Sequence, residues 1–75
     1  MKNNYFIGYL ESITGSIITI SKKEEIGIKV ISLRCENNNI LDNVKKYVKI
    51  GDLFAATYDE DYNITKVSFI TRKED

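Results

Sequence analysis

Few residues in this 75-residue chain could carry out catalysis. The sequence contains no histidine, so the commonest general base and metal ligand is missing. Its single cysteine, Cys35, has no evident base to activate it, and no serine lies in the strand–turn–helix context of a catalytic nucleophile. We therefore predict a protein that is not an enzyme and uses no cofactor.

One acidic segment resembles the beginning of a calcium-binding loop. Asp59, Asp61 and Asn63 fall at the first, third and fifth positions of such a loop, where oxygen ligands are required. The sixth position, which requires glycine, holds Ile64, and the twelfth, which requires glutamate, holds Ile70. We predict no metal site and interpret the segment as a hairpin turn kept soluble by its charges.

Tyrosine and lysine side chains offer a chemistry of binding instead. Tyrosine rings can stack on nucleic-acid bases, and lysine and arginine can contact phosphates. The eleven basic residues are balanced by eleven acidic ones, whereas a nucleic-acid-binding domain usually has a basic excess. Composition therefore weighs against strong nucleic-acid binding but leaves room for a local basic patch.

The elements that must position these side chains begin with a β-hairpin over residues 5–21. Gly15 supplies the positive φ of a tight turn, and Gly8 permits a bulge or a bend within the first strand. The second strand directs Ile18 and Ile20 toward the core. Period-two alternation predicts a first strand with two faces, Phe6, Gly8 and Leu10 inward and Tyr5, Ile7, Tyr9 and Glu11 outward.

A third strand is predicted from about Ile26 to Cys35, after a charged hairpin turn over residues 22–25. Its apolar residues alternate from Ile26 through Val30 and then shift by one position from Ile31, which predicts a β-bulge. Cys35 is predicted to be a small buried apolar residue rather than a reactive thiol, because no histidine exists to activate it.

One amphipathic helix of about two turns is predicted next. Its apolar positions recur at three- and four-residue spacing, after an Asn-Asn-Asn run that offers an N-cap. Asp42 is predicted in the first turn and Lys45 and Lys46 in the last, as the helix dipole favours. The apolar positions are Ile40, Leu41, Val44, Tyr47 and Val48.

Two further strands complete the predicted fold. The fourth covers residues 53–58 after an Ile-Gly-Asp turn, and the fifth covers residues 64–72. The residues predicted to face inward are Phe54, Ala56 and Tyr58 on the fourth strand, and Ile64, Val67 and either Phe69 or Ile70 on the fifth.

The order β1-β2-β3-α-β4-β5 resembles the OB-fold, a small five-stranded barrel. Gly8, the shift after Val30, the helix over residues 40–48 and the Lys-Ile-Gly-Asp segment over residues 49–52 carry this resemblance, which is topological and covers nearly the whole chain. It implies one all-β domain over residues 1–75, with a bent first strand shared between two halves of the barrel. An SH3- or Sm-like barrel is the alternative fold.

The OB-fold resemblance implies a binding surface across the second and third strands, flanked by two loops. It suggests weak, sequence-tolerant binding of single-stranded DNA or RNA as the leading function. The residues predicted to form this surface are Tyr9, Thr19, Lys22, Lys23, Lys29, Arg34 and Tyr62. Nearby acidic residues, among them Glu11, Glu24 and Glu25, oppose such a surface.

A protein-interaction module is the alternative function. Outward apolar side chains would form a strip that could bind a protein partner or a second copy of the chain, and balanced charge suits this interpretation better. The residues predicted to form the strip are Tyr5, Ile7, Tyr9 and Ile17. A single cysteine and the absence of a signal-like or membrane-spanning apolar run predict a cytoplasmic protein with no membrane partner.

Overall fold

The computed structural model describes residues 4–69, and its elements follow the predicted order. They are β1 (Asn4–Thr14), β2 (Ile17–Lys23), β3 (Ile28–Arg34), α1 (Asn38–Tyr47), β4 (Leu53–Tyr58) and β5 (Ile64–Phe69). The strands form one antiparallel sheet in the order β3-β2-β1-β4-β5. The prediction of a mostly β fold, with one short helix between the third and fourth strands, is confirmed.

Strand β1 lies at the centre of the sheet and is shared by its two halves. Its first part, from Asn4 to Tyr9, pairs with β4, and its second part, from Tyr9 to Thr14, pairs with β2. The register with β2 shifts between Leu10 and Ser12, so β1 contains an irregularity at Glu11. An extra residue of this kind bends a strand, which allows β1 to serve both halves.

Gly8 permits β2 to approach β1 closely just before this irregularity. A Cβ atom at Gly8 would lie 2.4 Å from the backbone oxygen of Ser21 and 2.7 Å from Cγ2 of Ile20. No side chain fits there without moving β2. The predicted role of Gly8 as a residue that permits a bend in β1 is therefore supported by the contacts around it.

The two edges of the sheet meet at one point. Arg34, at the end of β3, forms an isolated parallel bridge with Asn63, just before β5. The Arg34 N–H donates a 2.9 Å hydrogen bond to the carbonyl oxygen of Tyr62. The sheet is therefore curled into a partly open barrel, because strands at its opposite margins could not otherwise touch.

A single apolar core fills the inside of the curled sheet. Both faces predicted for β1 are confirmed, since Phe6, Gly8 and Leu10 are buried and the alternating residues are exposed. Phe54 is fully buried at the centre of the core, as its inward prediction requires. The remaining buried apolar side chains of the core are Ile18, Ile20, Leu33, Cys35, Leu41, Val44, Val48, Ala56, Tyr58 and Ile64.

Helix α1 begins at Asn38, two residues earlier than the predicted range of 40–48, and a side chain caps its start. The Asn37 side chain accepts hydrogen bonds from the N–H groups of Asn39 and Ile40, at 2.9 and 3.2 Å, which satisfies two donors that a helix start leaves free. The helix begins at Asn38, so the prediction that Asp42 lies in its first turn is wrong.

The far end of α1 agrees with prediction at two positions and differs at one. Lys45 and Lys46 lie in the last turn, as predicted. Tyr47 was expected on the buried face, but it is 59% exposed and contacts the Phe69 ring, with centroids 5.8 Å apart.

The predicted bulge in β3 is wrong. Strand β3 pairs with β2 without interruption from Ile28 to Arg34, so its side chains alternate regularly. Leu33 and Cys35 point inward as predicted, whereas Ile28 and Val30 lie on the outer face and are 64% and 56% exposed. Ile28 and Val30 are apolar, which suggested burial, but they lie on an exposed strand at the edge of the sheet.

Strand β5 is confirmed over residues 64–69. Ile64 is buried and Val67 is partly buried, as predicted, while Phe69 pairs with Phe54 and is 41% exposed. The alternative inward residue, Ile70, and the predicted end of the strand at residue 72 lie outside the described residues. Among those described, no helix has the length and apolar character needed to cross a membrane.

Candidate binding surface

The outer face of the sheet holds only part of the predicted nucleic-acid surface. Residues that pair across antiparallel strands lie on the same face. Lys22 follows Ile18 and Ile20 on the inner face of β2 and pairs with Lys29 of β3. The prediction that Lys22 and Lys29 point outward is therefore wrong, because β2 stays regular to Lys23 and β3 has no bulge.

Lys22 packs against the core instead of facing solvent fully. Its ammonium nitrogen lies 5.3 Å from the centroid of the Phe6 ring, within the range of a cation–π contact. Lys29 lies directly opposite in the register, and like charges in that position repel each other. This pair adds positive charge at one end of the barrel, on the other side of the sheet from Tyr9.

Arg34 and Tyr62 are brought together by the closure of the sheet. Arg34 is exposed and forms an ion pair with Glu36 at 3.6 Å, and both side chains are more than half exposed. Tyr62 has a positive φ of 65°, is 53% exposed, and contacts the Tyr58 ring edge-on at 5.5 Å between centroids. This corner combines an aromatic ring with a guanidinium group whose charge is partly compensated.

Tyr9 and Lys23 lie on the same outer face but apart from that corner, whereas Thr19 lies two residues from Ile17, which pairs with Arg34. Thr19 pairs with Ser32, and their hydroxyl oxygens are 3.1 Å apart. Tyr9 pairs with Ser21, which in turn pairs with Val30. Since Val30 precedes Arg34 by four residues of extended strand, the separation along β3 is roughly 13 Å. The predicted aromatic and basic residues therefore form no single cluster.

An apolar strip runs along β1 on the outer face. Tyr5, Ile7 and Tyr9 are 64%, 40% and 44% exposed, and they are successive residues on this side of the strand. On β4 the residues paired with Ile7 and Tyr9 are Ala55, which is buried, and Leu53, which is half-buried. We call these five residues the β1 strip.

The β1 strip excludes Ile17, the fourth residue predicted for a protein interface. Ile17 is exposed and outward, but it pairs with Thr14 at the far end of the β1–β2 hairpin and with Arg34 on its other side. Tyr5, at the opposite end of β1 from Thr14, pairs with Thr57 near the end of β4. Ile17 thus lies beside the corner where Arg34 meets Tyr62, which we call the closure corner, and not in the strip.

Several residues of the outer face were missed by sequence reasoning. Leu53 and Ala55 could have been found, because the alternation that directs Phe54 inward places both of them outward. Ile28 and Val30 carried no such signal, since an apolar residue in a strand is assigned to the core by default. Together these four residues make the outer face more apolar than predicted.

A second group of lysines lies at the end of α1. Lys45 and Lys46 occupy the last turn, and Lys49 follows it. The ammonium of Lys46 lies 5.5 Å from the Tyr47 centroid, while the Lys49 N–H donates to the Asp52 carboxylate at 3.0 Å. The first two lysines satisfy the negative end of the helix dipole, which is sufficient to explain their positions.

The acidic turn before β5 uses its first carboxylate to hold its own backbone. Oδ1 of Asp59 accepts hydrogen bonds from the N–H groups of Asp61 and Asn63, at 2.9 and 3.0 Å. Such a turn stabilises the tight reversal between β4 and β5. Over residues 4–69, no group of three or more cysteine, aspartate or glutamate side chains is arranged to hold a metal ion.

Cys35 is placed in the core and not at a reactive surface. It is fully buried, and its Sγ atom lies 3.6 Å from the carbonyl oxygen of Asn37, to which it donates. Burial raises the pKa of this thiol, and the contact with Asn37 only partly opposes the effect. A thiol that stays protonated at neutral pH is a poor nucleophile, so the predicted structural role of Cys35 is consistent with its surroundings.

Over residues 4–69, the geometry of the outer face therefore provides an apolar strip and a separate corner with Arg34 and Tyr62. Comparison of the chain with protein-family models, with curated protein sequences and with solved structures found no match.

Proposed function

We propose that this chain is a non-enzymatic binding module that recognises another protein through the β1 strip. The observation that carries the proposal is the exposure of Tyr5, Ile7 and Tyr9 along one side of the central strand, beside the buried Ala55. Tyrosine is enriched at the centres of protein interfaces because its ring buries a large area and its hydroxyl retains a hydrogen bond.

Charge supports a protein partner over a nucleic acid. The sequence has no net charge, and two of the predicted phosphate ligands, Lys22 and Lys29, lie on the inner face. A nucleic-acid surface gains most of its affinity from phosphate contacts, which the β1 strip lacks. Its apolar side chains gain from being removed from water, about 25 cal/mol for each Å² buried.

The OB-fold resemblance belongs to the same proposal. A central bent strand, the helix between β3 and β4, and the meeting of β3 with the start of β5 support this relationship. Because such barrels bind many different ligands, the resemblance supports a binding role without choosing the partner. A cytoplasmic location is also part of the proposal, since the one thiol is buried and cannot form an internal disulfide.

Binding of single-stranded nucleic acid is a second candidate, favoured by the closure corner. The backbones of Arg34 and Tyr62 meet there and both side chains are exposed, so a base could stack on the Tyr62 ring while the guanidinium contacts a phosphate. The ion pair with Glu36 and the acidic residues Asp59 to Asp61 oppose a phosphate backbone at this corner. We expect any such binding to be weak and strongly dependent on salt.

Site-specific photocrosslinking in an extract of the source cells tests the proposed function. A photoreactive phenylalanine analogue at Tyr9 or Tyr5 should form an adduct with one protein, and the adduct should also form when the sample is irradiated in 0.5 M salt. The same analogue at Asn43, an exposed residue of α1, should not form it. The substitution Ile7→Asp should reduce the yield from Tyr9 by at least about tenfold, because it places a charge in the apolar contact.

A titration with a labelled single-stranded oligonucleotide provides the opposing outcome. Binding that is lost with Arg34→Glu or Tyr62→Ala, unaffected by Ile7→Asp, and weakened steeply by salt would support the second candidate. Absence of any salt-resistant adduct from the β1 strip, together with such binding, would refute the proposed function.

A further inference from the structure

We propose that the free edge of β3 pairs with β3 of a second copy of this chain, continuing the sheet across a two-fold axis. This pairing uses the edge of the sheet and not the β1 strip, and it does not depend on whether the strip binds a protein.

The backbone of β3 has hydrogen-bonding groups directed away from β2. The Cys35 N–H donates to Ser16 on the β2 side, whereas the Arg34 N–H donates to Tyr62 on the other side. Since these directions alternate along a strand, the backbone groups of Ile28, Val30 and Ser32 also point away from β2. None of these three residues has a strand partner on that side within the described part of the chain.

Strand β5 does not cover this edge. The bridge between Arg34 and Asn63 is parallel, so β5 continues from Asn63 in the direction that leads beyond the end of β3. Its six residues pair with β4 instead. Within residues 4–69, no strand therefore pairs with the stretch from Ile28 to Ser32 on the side that points away from β2.

The side chains beside this edge are apolar and β-branched. Ile28 and Val30 are 64% and 56% exposed, and Ile26, in the turn before the strand, is 92% exposed. Edge strands usually avoid pairing by means of proline, bulges, charged side chains on the edge or charges that point inward. The chain has no proline and β3 has no bulge, so the inward Lys29 is the one such device in the stretch from Ile28 to Ser32.

A second copy of the chain fits this edge better than a charged peptide. The chain has no net charge, so two copies do not repel each other at long range. In an antiparallel register centred on Val30, that residue faces itself, Ile28 faces Ser32 and Lys29 faces Ile31. No like charges oppose each other, whereas a register centred on Lys29 would place two ammonium groups together.

Sedimentation velocity over a range of concentrations tests this pairing with two matched variants. Val30→Pro removes an edge N–H that the monomer does not use, and proline is tolerated at such edge positions. Val30→Thr keeps the N–H and the β-branched shape. We expect the wild type and Val30→Thr to dimerise, and Val30→Pro to raise the dimer dissociation constant by at least about 30-fold, as loss of two backbone hydrogen bonds requires.

Oxidative crosslinking keeps the test decisive if Val30→Pro fails to fold. Val30→Cys should form a covalent dimer, whereas Lys29→Cys and the wild type, with its buried thiol, should not. A wild type that stays monomeric to about 1 mM, an undiminished dimer of folded Val30→Pro, or crosslinking by Lys29→Cys alone would each overturn the proposal. Ile7→Asp should leave the dimer intact, so failure of the proposed function would not be mistaken for failure of this pairing.

Discussion

The close approach of β2 to β1 at Gly8 can be tested by adding one methyl group. In Gly8→Ala the new Cβ would meet the Ser21 carbonyl oxygen at 2.4 Å, the Ile20 Cγ2 at 2.7 Å and the Phe6 Cε1 at 2.9 Å. The nearest of these atoms is backbone, and the other two belong to buried core side chains. No single side-chain rotation can relieve the overlap, so strand β2 must move away.

Overpacking of a core costs typically 1–3 kcal/mol, and the backbone contact places Gly8→Ala at about 3 kcal/mol. A domain of this size has a free energy of unfolding on the order of 4–11 kcal/mol, so the loss is a large fraction of the total. For small domains each kcal/mol lowers the melting temperature by about 4–8 °C, which predicts a decrease of roughly 12–24 °C.

Urea denaturation followed by circular dichroism and tyrosine fluorescence measures this loss directly. The midpoint should fall with little change in the slope, since the same surface is exposed on unfolding. The control is Gly15→Asn in the β1–β2 turn, where a Cβ meets nothing within 4 Å and the φ of +60° suits asparagine. The control should cost less than about 1 kcal/mol. A Gly8→Ala protein within about 0.5 kcal/mol of wild type would refute the close approach of β2 to Gly8.

Three further predictions follow from single contacts. Asn37→Ala should lower the unfolding free energy by about 1 kcal/mol through loss of the N-cap, whereas the exposed Asn38→Ala should not, as compared by urea midpoints. The hydroxyl of Ser21 donates to the carboxylate of Glu11 at the β1 irregularity, so a double-mutant cycle with Ser21→Ala and Glu11→Ala should give a coupling of about 1 kcal/mol, and zero coupling would contradict the contact. Burial raises the pKa of Cys35, so the protonated thiol stabilises the folded protein fully below the ordinary thiol pKa. This stabilisation should be lost as the pH rises through the pKa that the thiol has in the folded protein. The urea midpoint should therefore decrease at alkaline pH, and Cys35→Ala should lack this decrease.

Local patterns in the sequence predicted the parts of the fold that are buried on one face. The alternation in β1 and the inward Phe54 were recovered because each lies in a strand with a clear apolar side. The N-cap was recovered because the Asn run directly precedes a pattern of helical period. These features depend on residues that are close together in the sequence, so the sequence alone is enough to predict them.

The wrong predictions concern apolar residues that the alternation pattern assigns to the core but that the fold leaves exposed. Ile28 and Val30 are apolar, so they were assigned inward, and a bulge was then needed to bring Leu33 inward as well. The structure has no bulge there, and this reverses the face of Lys29. Whether an apolar residue lies in a core or at a free edge depends on the order of strands in the sheet, which local periodicity does not contain.

The placement of Arg34 beside Tyr62 also required long-range information. The two residues are far apart in the sequence, and only the curling of the sheet brings the end of β3 to the start of β5. The β1 strip, in contrast, was predictable at Tyr5, Ile7 and Tyr9, because they share one side of one strand.

The hydrogen bond that joins the two edges of the sheet gives the most direct test of the curled architecture. A scalar coupling across the bond between the Arg34 amide nitrogen and the Tyr62 carbonyl carbon can be measured by NMR on labelled protein. The structure predicts a resolved coupling and slow exchange of the Arg34 amide proton with solvent, since the Arg34 nitrogen lies 2.9 Å from the Tyr62 carbonyl oxygen. A missing coupling together with rapid exchange of that proton would show that the edges do not meet, and would contradict the account.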